Sequence, residues 1–517
     1  MKKKNQIKFV NGPFFMLAVS LLFFTDSFAQ KAALVDLDST HQRIRGFGAA
    51  NILPWRPDMN DAEIQTAFGT AEGQLGFSIL RLMIEPTRNN WSLNVRTAQK
   101  AHDMGVLIFA SPWNAPSDMM ETVNGLKRVR HDRYEDYARH LDDFRDFMEN
   151  NGVPIYAVSV QNEPDWNGGW TQWTAGEMLT FMKDYASLIA TRVMAPESFQ
   201  FRHTMSDPIL NDPVACANLD IVGGHIYGAG LAPYPLATSK GKEIWMTEHY
   251  TDSENSANLW PMALNVGTEM NDVMNAGMNA YIWWYIVRFY GPISDGTNNS
   301  GKKGEVTKRG YVMSQFSRFI RPGYFRIQCD RHPQSFIYTS AYRDSTSSKV
   351  VIVAINSSSA AKTQTFTFQD GRVDMFTPYV TSETKNCAQE DDIIVANSSL
   401  AVTLDGKSIT TLLSRGNVKI NVENAPSSLP ASSKLWQNYP NPFNPSTRIT
   451  FEIAEKSFVS LKLYNILGEE MGELAGRAYD AGAHSILFDA SRLPNGIYLY
   501  TLRAGDFLST RKMIFAK

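Results

Sequence analysis

Residues 155–164 read "IYAVSVQNEP": an apolar, β-branched run that stops abruptly at Gln161, Asn162 and Glu163. Runs of this composition suit a strand buried on both faces. A polar end on such a strand needs a separate reason. The same design recurs in "EIWMTEHY" (243–250), where the apolar run ends at Glu248. Working outward, further strand candidates are "IRGFGAANI" (44–52), "ILRLMI" (79–84), "LIFASPW" (107–113), "FQFRHTMS" (199–206), "DIVGGHIYG" (220–228) and "AYIWWYI" (280–286). Helical patterns lie between them. In 133–150, Tyr134, Tyr137, Ala138, Leu141, Phe144, Phe147 and Met148 fall at spacings of three and four, which makes one apolar stripe, and Gly152 suits its stop. Eight strands alternating with helices over residues 43–320 predict a (β/α)8 barrel. A doubly wound sheet would need a Gly-rich phosphate loop after its first strand, and none follows. In such a barrel the C-terminal strand ends line the active site, so Glu163 and Glu248 are expected to meet there.

The chain has 517 residues, enough for several domains, and 43% hydrophobic against 20% charged residues is ordinary for a globular protein. A formal net charge of -2, with no basic run beyond the N-terminus, argues against nucleic-acid binding and a membrane-surface role. Aromatic content is the outlying figure: 12%, with 11 Trp and 20 Tyr, as suits a protein that covers the apolar faces of sugars. Residues 1–29 pair a basic start with a short apolar run and end in Ser27-Phe28-Ala29, the pattern of a secretory signal peptide. No segment is long and apolar enough for a transmembrane span. Three cysteines, Cys216, Cys329 and Cys387, allow at most one bridge and form no metal signature.

The texture changes after "RPG" (321–323). Residues 321–420 alternate as in "SSKVVIVAINSS" and predict a β-sandwich side domain, to which residues 30–42 add the first strand. A polar linker (421–435) leads to a small β domain (436–517) that opens with "WQNYPNPFNPSTRITFEI".

A single Glu at a strand end is ordinarily a surface or ion-paired residue. Two of them, each at the end of an apolar strand and flanked by aromatics, fit the paired carboxylates of glycoside hydrolysis. His225 and His249 lack any metal-ligand spacing and read as hydrogen-bonded barrel-end histidines. Arg81 reads as a structural partner near Glu248. In "IWWYIVRFYG" (282–291) an aromatic strand runs into Arg288. A charge in that setting needs a partner, either an acid of the same chain or a carboxylate on the substrate.

The barrel with its β side domain resembles glycoside hydrolase family 30 over residues 32–415, with "QNEP" similar to the family's acid/base motif and "WMTEHY" to its nucleophile motif. The resemblance implies a retaining glycosidase in which Glu163 is the acid/base, Glu248 the nucleophile and Asn162 a partner of the sugar 2-hydroxyl. The "WWY…R-x-Y-G" segment resembles the glucuronoxylanase branch, which cuts xylan beside (4-O-methyl)glucuronate. That likeness implies uronate contacts from Arg288, Tyr290, Tyr250 and Ser253. Branch members usually carry Arg-Arg-Ser-Tyr where this chain has Val287-Arg288-Phe289-Tyr290. Trp113, Trp166, Trp170, Tyr227 and Trp284 are placed to stack on xylose, while Trp283 alternates away into the core. The other readings are a less selective xylanase, a β-1,6-glucanase, or a surface carbohydrate-binding protein without catalysis. No cofactor or metal is expected, and the chain is expected to be a monomer. Residues 436–517 resemble the type IX secretion sorting domain through "YPNPFNP", "LYNILGEE" and "GIYLYTLRAGDFLSTRKMIFAK". This implies partnership with that secretion machinery and passage through the periplasm to the exterior of a Gram-negative cell.

Overall fold

Eight parallel strands close a barrel in the computed structural model: Gly46–Ala50, Ile79–Ile84, Leu107–Pro112, Ala157–Ser159, Arg192–Ser198, Ile221–His225, Glu243–His249 and Ala280–Tyr285. The structure describes residues 32–251, 254–346, 349–420, 433–438, 441–479, 481–491 and 493–516. The expected signal peptide, Ser253 and most of the linker lie outside these residues. Seven of the barrel strands stand where the apolar runs predict them. The fifth is displaced. It is Arg192–Ser198, and residues 203–206 of the expected strand begin the helix His203–Asn211. Pro196 hides this strand, because a proline gives nothing to a ladder. The fold accommodates it with a register shift: Pro196 pairs with Gly223 and Ser198 with Gly224, so that Glu197 is the extra residue.

The barrel floor is filled by Ile79, Phe109, Ala157, Met194, Ile221, Trp245, Ala280 and Ile282, which come from seven of the eight strands. This packing makes the barrel a solid core, open only at its C-terminal face. Outside it, the helix Tyr134–Asn150 buries Tyr134, Tyr137, Ala138, Leu141, Phe144 and Met148 of the predicted stripe and leaves Phe147 half-buried. Gly152 follows at φ +76, a left-handed conformation that suits glycine just past a helix end.

The barrel's outer core continues into a ten-stranded sheet through Val351, Val353, Ile355 and Ile409. Strand Val350–Asn356 is buried at every position. Ala33–Arg43, from before the barrel, lies in this sheet between Phe325–Cys329 and Lys362–Gln369. The chain divides into two compact units: one holds 32–35, 41–367 and 374–415 of the described residues, and the other holds those from 416 onward with the short stretches 36–40 and 368–373. Residues 434–515 form a three-stranded and a four-stranded sheet around their own core of Ile449, Phe451, Leu461, Tyr500, Leu502 and Met513. No helix among the described residues is long and apolar enough to cross a membrane.

Candidate active site

Register shifts collect at the C-terminal barrel face. Besides the one at Glu197, Met246 and Glu248 pair with Gly224 and His225, leaving Thr247 extra, and Trp283 and Tyr285 pair with Ala49 and Ala50, leaving Trp284 extra. Such bulges re-aim side chains beside a site. Glu163 and Glu197 also adopt positive φ, 46 and 58. For residues with a Cβ, that conformation costs about 1–3 kcal/mol and persists where surrounding structure fixes it.

Three carboxylates and two cations converge. Arg81, fully buried, donates from Nη1 to Glu248 Oε2 (2.5 Å) and from Nη2 to both Asn162 Oδ1 (2.6 Å) and Glu197 Oε1 (2.8 Å). Tyr227 donates its hydroxyl to Glu248 Oε1 at 2.8 Å. His225 Nδ1 meets Glu163 Oε1 at 2.9 Å, and its Nε2 lies 3.7 Å from Glu197 Oε1. One donor atom from each of Glu163, His225 and Glu248 lies within 4.8 Å of the others.

Electrostatics separate these groups. Burial pushes the Glu163 carboxyl up and the nearby Glu248 charge adds to it, against the lowering effect of His225. Burial would raise Glu197 as well, but Arg81, His225 and Ser159 together outweigh it and hold this carboxyl at about 2. Desolvation disfavours protonated His225, yet the Glu248 charge, the bond to Glu163 and the nearby Glu197 carboxylate raise it to about 9. An ion held by these three donors would have to displace the proton from His225, since protonated imidazole has no lone pair to offer. The charges balance when Arg81 and His225 are positive, Glu197 and Glu248 negative, and Glu163 keeps its proton. The arrangement can therefore present one proton donor and one ionised carboxylate across a narrow gap.

The cleft above these groups has a volume of about 400 Å³. Of the aromatics expected there, Trp113, Trp166, Trp170, Tyr227, Tyr250 and Trp284 all line it. Two more rings, Trp55 and Phe199, do so without having been foreseen. Phe199 stacks between Trp166 (5.5 Å) and Tyr227 (5.3 Å), and Trp55 stacks on Trp170 at 5.5 Å.

Over 401 residues the chain is 45% identical to a glucuronoxylanase, XynC, of Bacillus subtilis (strain 168), covering 75% of this chain and 93% of the relative. A solved GH30 endoxylanase of Clostridium papyrosolvens C71 is 42% identical with a TM-score of 0.68, covering 74% of this chain and all (100%) of that one. A solved glycoside hydrolase family 30 subfamily 8 xylanase of Clostridium acetobutylicum is 36% identical with a TM-score of 0.67, at 74% and 100% coverage. The chain belongs to glycoside hydrolase family 30. Residues 437–516 match the secretion system C-terminal sorting domain.

In this family 30 glycoside hydrolase, Asn162 is fully buried, and its Nδ2 finds no protein partner among the described residues. Tyr290 stacks on Tyr250 at 5.3 Å. Arg288 stands apart from the main cleft. It lines a neighbouring cavity of about 230 Å³ and pairs with Asp295 Oδ2 at 3.2 Å. His249 bonds Glu269 at 2.8 Å and packs against the Tyr227 ring at 5.0 Å. Trp283 is fully buried in the outer core. The cysteines are unpaired. Glu197 is the chief residue missed. "RVMAPES" repeats the apolar-run-then-acid design of the other two strands, and that was the available signal.

Proposed function

We propose that this enzyme is a retaining endo-1,4-β-xylanase that cleaves glucuronoxylan beside (4-O-methyl)glucuronate branches, with Glu163 as acid/base and Glu248 as nucleophile. The approach of their carboxylate oxygens, within 4.8 Å, carries the reading. Retaining enzymes hold the pair about 5–5.5 Å apart, whereas inverting ones leave room for a water. Glu248 attacks the anomeric carbon while Glu163 protonates the leaving oxygen, and a glycosyl ester forms as the C–O bond breaks. Glu163, now ionised, takes a proton from the water that releases the ester. Charge balance survives the exchange, because Glu248 loses its charge to the ester in the step in which Glu163 acquires one. The unpartnered Asn162 Nδ2 supports a bond to the sugar 2-hydroxyl. Trp113, Trp166, Trp170, Tyr227 and Trp284 stack on xylose units, and Arg288, Tyr290, Tyr250 and Ser253 meet the uronate. The chemistry uses two carboxylates and needs no metal. The sorting domain directs export by the type IX route to the outside of the cell.

The Arg288–Asp295 ion pair favours a second reading, a less selective xylanase, since Arg288 already has a carboxylate. Product analysis on glucuronoxylan and on unsubstituted xylan separates the two. The first reading expects products of one branch spacing, little action on unsubstituted xylan, and β configuration in the first-formed product by NMR. Equal turnover on both polymers would favour the second. The α anomer appearing first would overturn the retaining pair.

A further inference from the structure

The cavity beside the cleft poses a charge problem. Arg288 lines it and is already matched by Asp295, so a branch carboxylate arriving there would face a carboxylate as well as a cation. Val287, in the same wall, offers no charge. A second guanidinium does reach this cavity from elsewhere in the fold. Arg56 follows the first barrel strand, one residue after Trp55, whose ring lines the main cleft. The chain thus presents consecutive side chains to adjoining chambers, a flat ring to the glycan cleft and a cation to the cavity next to it.

Arg56 is half-buried, lies over the Tyr285 ring at 5.5 Å, and has no carboxylate partner among the described residues. The other acids of the wall have partners of their own. Asp58 accepts from Asn51 and Thr97, and Glu63 closes a capping box with Asn60 through Oε2, while its Oε1 has no partner among the described residues. Both guanidiniums act on one phenol: burial pushes Tyr290 up, while Arg288 by hydrogen bond and charge, and Arg56 by charge, oppose it. Tyr290 in turn stacks on Tyr250, which lines the main cleft. A group branching from a glycan in that cleft has a short way to go past Tyr290.

We propose that Arg56 is a specificity-determining residue, a guanidinium without a carboxylate partner that, together with Arg288, binds the carboxylate of a uronate branch in this cavity, whose wall also carries the exposed Lys303. This rests on the glucuronoxylan reading above. A planar guanidinium over a tyrosine ring can offer two parallel donors to a carboxylate while Arg288 retains Asp295. The charge that Val287 does not supply from the eighth-strand loop comes from the first.

The test compares glucuronoxylan with the same polymer after reduction of its uronate carboxyls to alcohols, which keeps the branch and removes the charge. For wild type, kcat/KM should be higher on the native polymer. Arg56→Ala and Arg56→Gln should both lose about tenfold on native glucuronoxylan, the order of one half-exposed charge pair, and change little on the reduced polymer. Gln keeps a polar amide near Tyr285, so losses confined to the Ala variant would assign Arg56 to propping Tyr285 and overturn the proposal. Equal losses on both polymers would overturn it too. A wild type indifferent to reduction would sink the glucuronoxylan reading and this inference with it. A wild-type preference that Arg288→Ala abolishes and both Arg56 variants retain would defeat the inference alone.

Discussion

The Glu197 carboxylate makes no hydrogen bond to either of the two carboxylates expected to do chemistry, although its backbone carbonyl accepts from the Glu163 amide at 3.1 Å, and its charge enters the balance of the cluster through Arg81 and His225. It bonds Arg81 at 2.8 Å and lies 3.7 Å from His225 Nε2. Replacing Glu197 with Gln keeps an acceptor and removes one negative charge. The cluster then carries a net positive charge while Glu163 is protonated, so Glu163 ionises more readily and its pKa falls. His225, which loses part of what raises it, releases its proton earlier as well. Acid catalysis needs the proton on Glu163, so the alkaline limb of kcat/KM should move to lower pH, by about one unit or more. Profiles of both proteins check this. A uniform loss with an unmoved limb would leave Glu197 only a packing role beneath Arg81. The same shifts bear on stability. Glu197, held at about 2, contributes fully above its ordinary 4.5 and loses that contribution as pH falls towards 2. His225, raised to about 9, contributes fully below its ordinary 6.5 and loses that as pH rises through 9. Both contributions are complete only between 4.5 and 6.5.

Elements explain what could be read from the chain and what could not. Strands such as Ile79–Ile84 and Glu243–His249 are buried at nearly every position, and their unbroken apolar runs announce them. Arg192–Ser198 does not announce itself, because Pro196 and Glu197 interrupt its run at the place where the ladder itself breaks. Glu163 and Glu248 were legible since each ends a clear run. Trp55 and Arg56 were not, since a loop has no period and their importance comes from strands far along the chain. Arg288's bond to Asp295, seven positions on, depends on how the loop after the eighth strand folds back, which composition does not encode. The loop bearing Trp55 and Arg56 is followed by the helix Asp61–Phe68, fastened by a capping box. Asn60 Oδ1 accepts from the Glu63 amide at 3.0 Å, and Glu63 Oε2 accepts from the Asn60 amide at 2.9 Å. Asn60→Ala leaves that first turn with unsatisfied donors and should cost about 0.5–2 kcal/mol. Urea unfolding should show a lower midpoint at an unchanged slope. An unmoved midpoint would mean that water replaces the cap without loss.

At the scale of the whole molecule the two compact units have different reasons to exist. In the first unit the barrel and most of the ten-stranded sheet share one core, running from Phe47 and Ile64 through Phe316 to Val353 and Ile409, so neither could be cut away without exposing the other. The hydrophobic core of the C-terminal sheets draws on residues from Leu435 to Phe515 alone. A polar stretch, "NAPSSLPASSK", lies between the two in sequence. Units that bury their apolar surface separately unfold as separate cooperative transitions. A chain ending at residue 420 should therefore keep kcat on glucuronoxylan within about twofold and retain the melting transition of the barrel, while losing that of the tail in calorimetry. The cluster of Glu163, Glu248, Arg81, His225 and Glu197 lies wholly within the first unit, and the cleft aromatics do too. Export should fail, because the matched sorting segment, 437–516, is gone. A large fall in turnover by the shortened chain, with its barrel transition intact, would show that the tail takes part in catalysis and is more than an address.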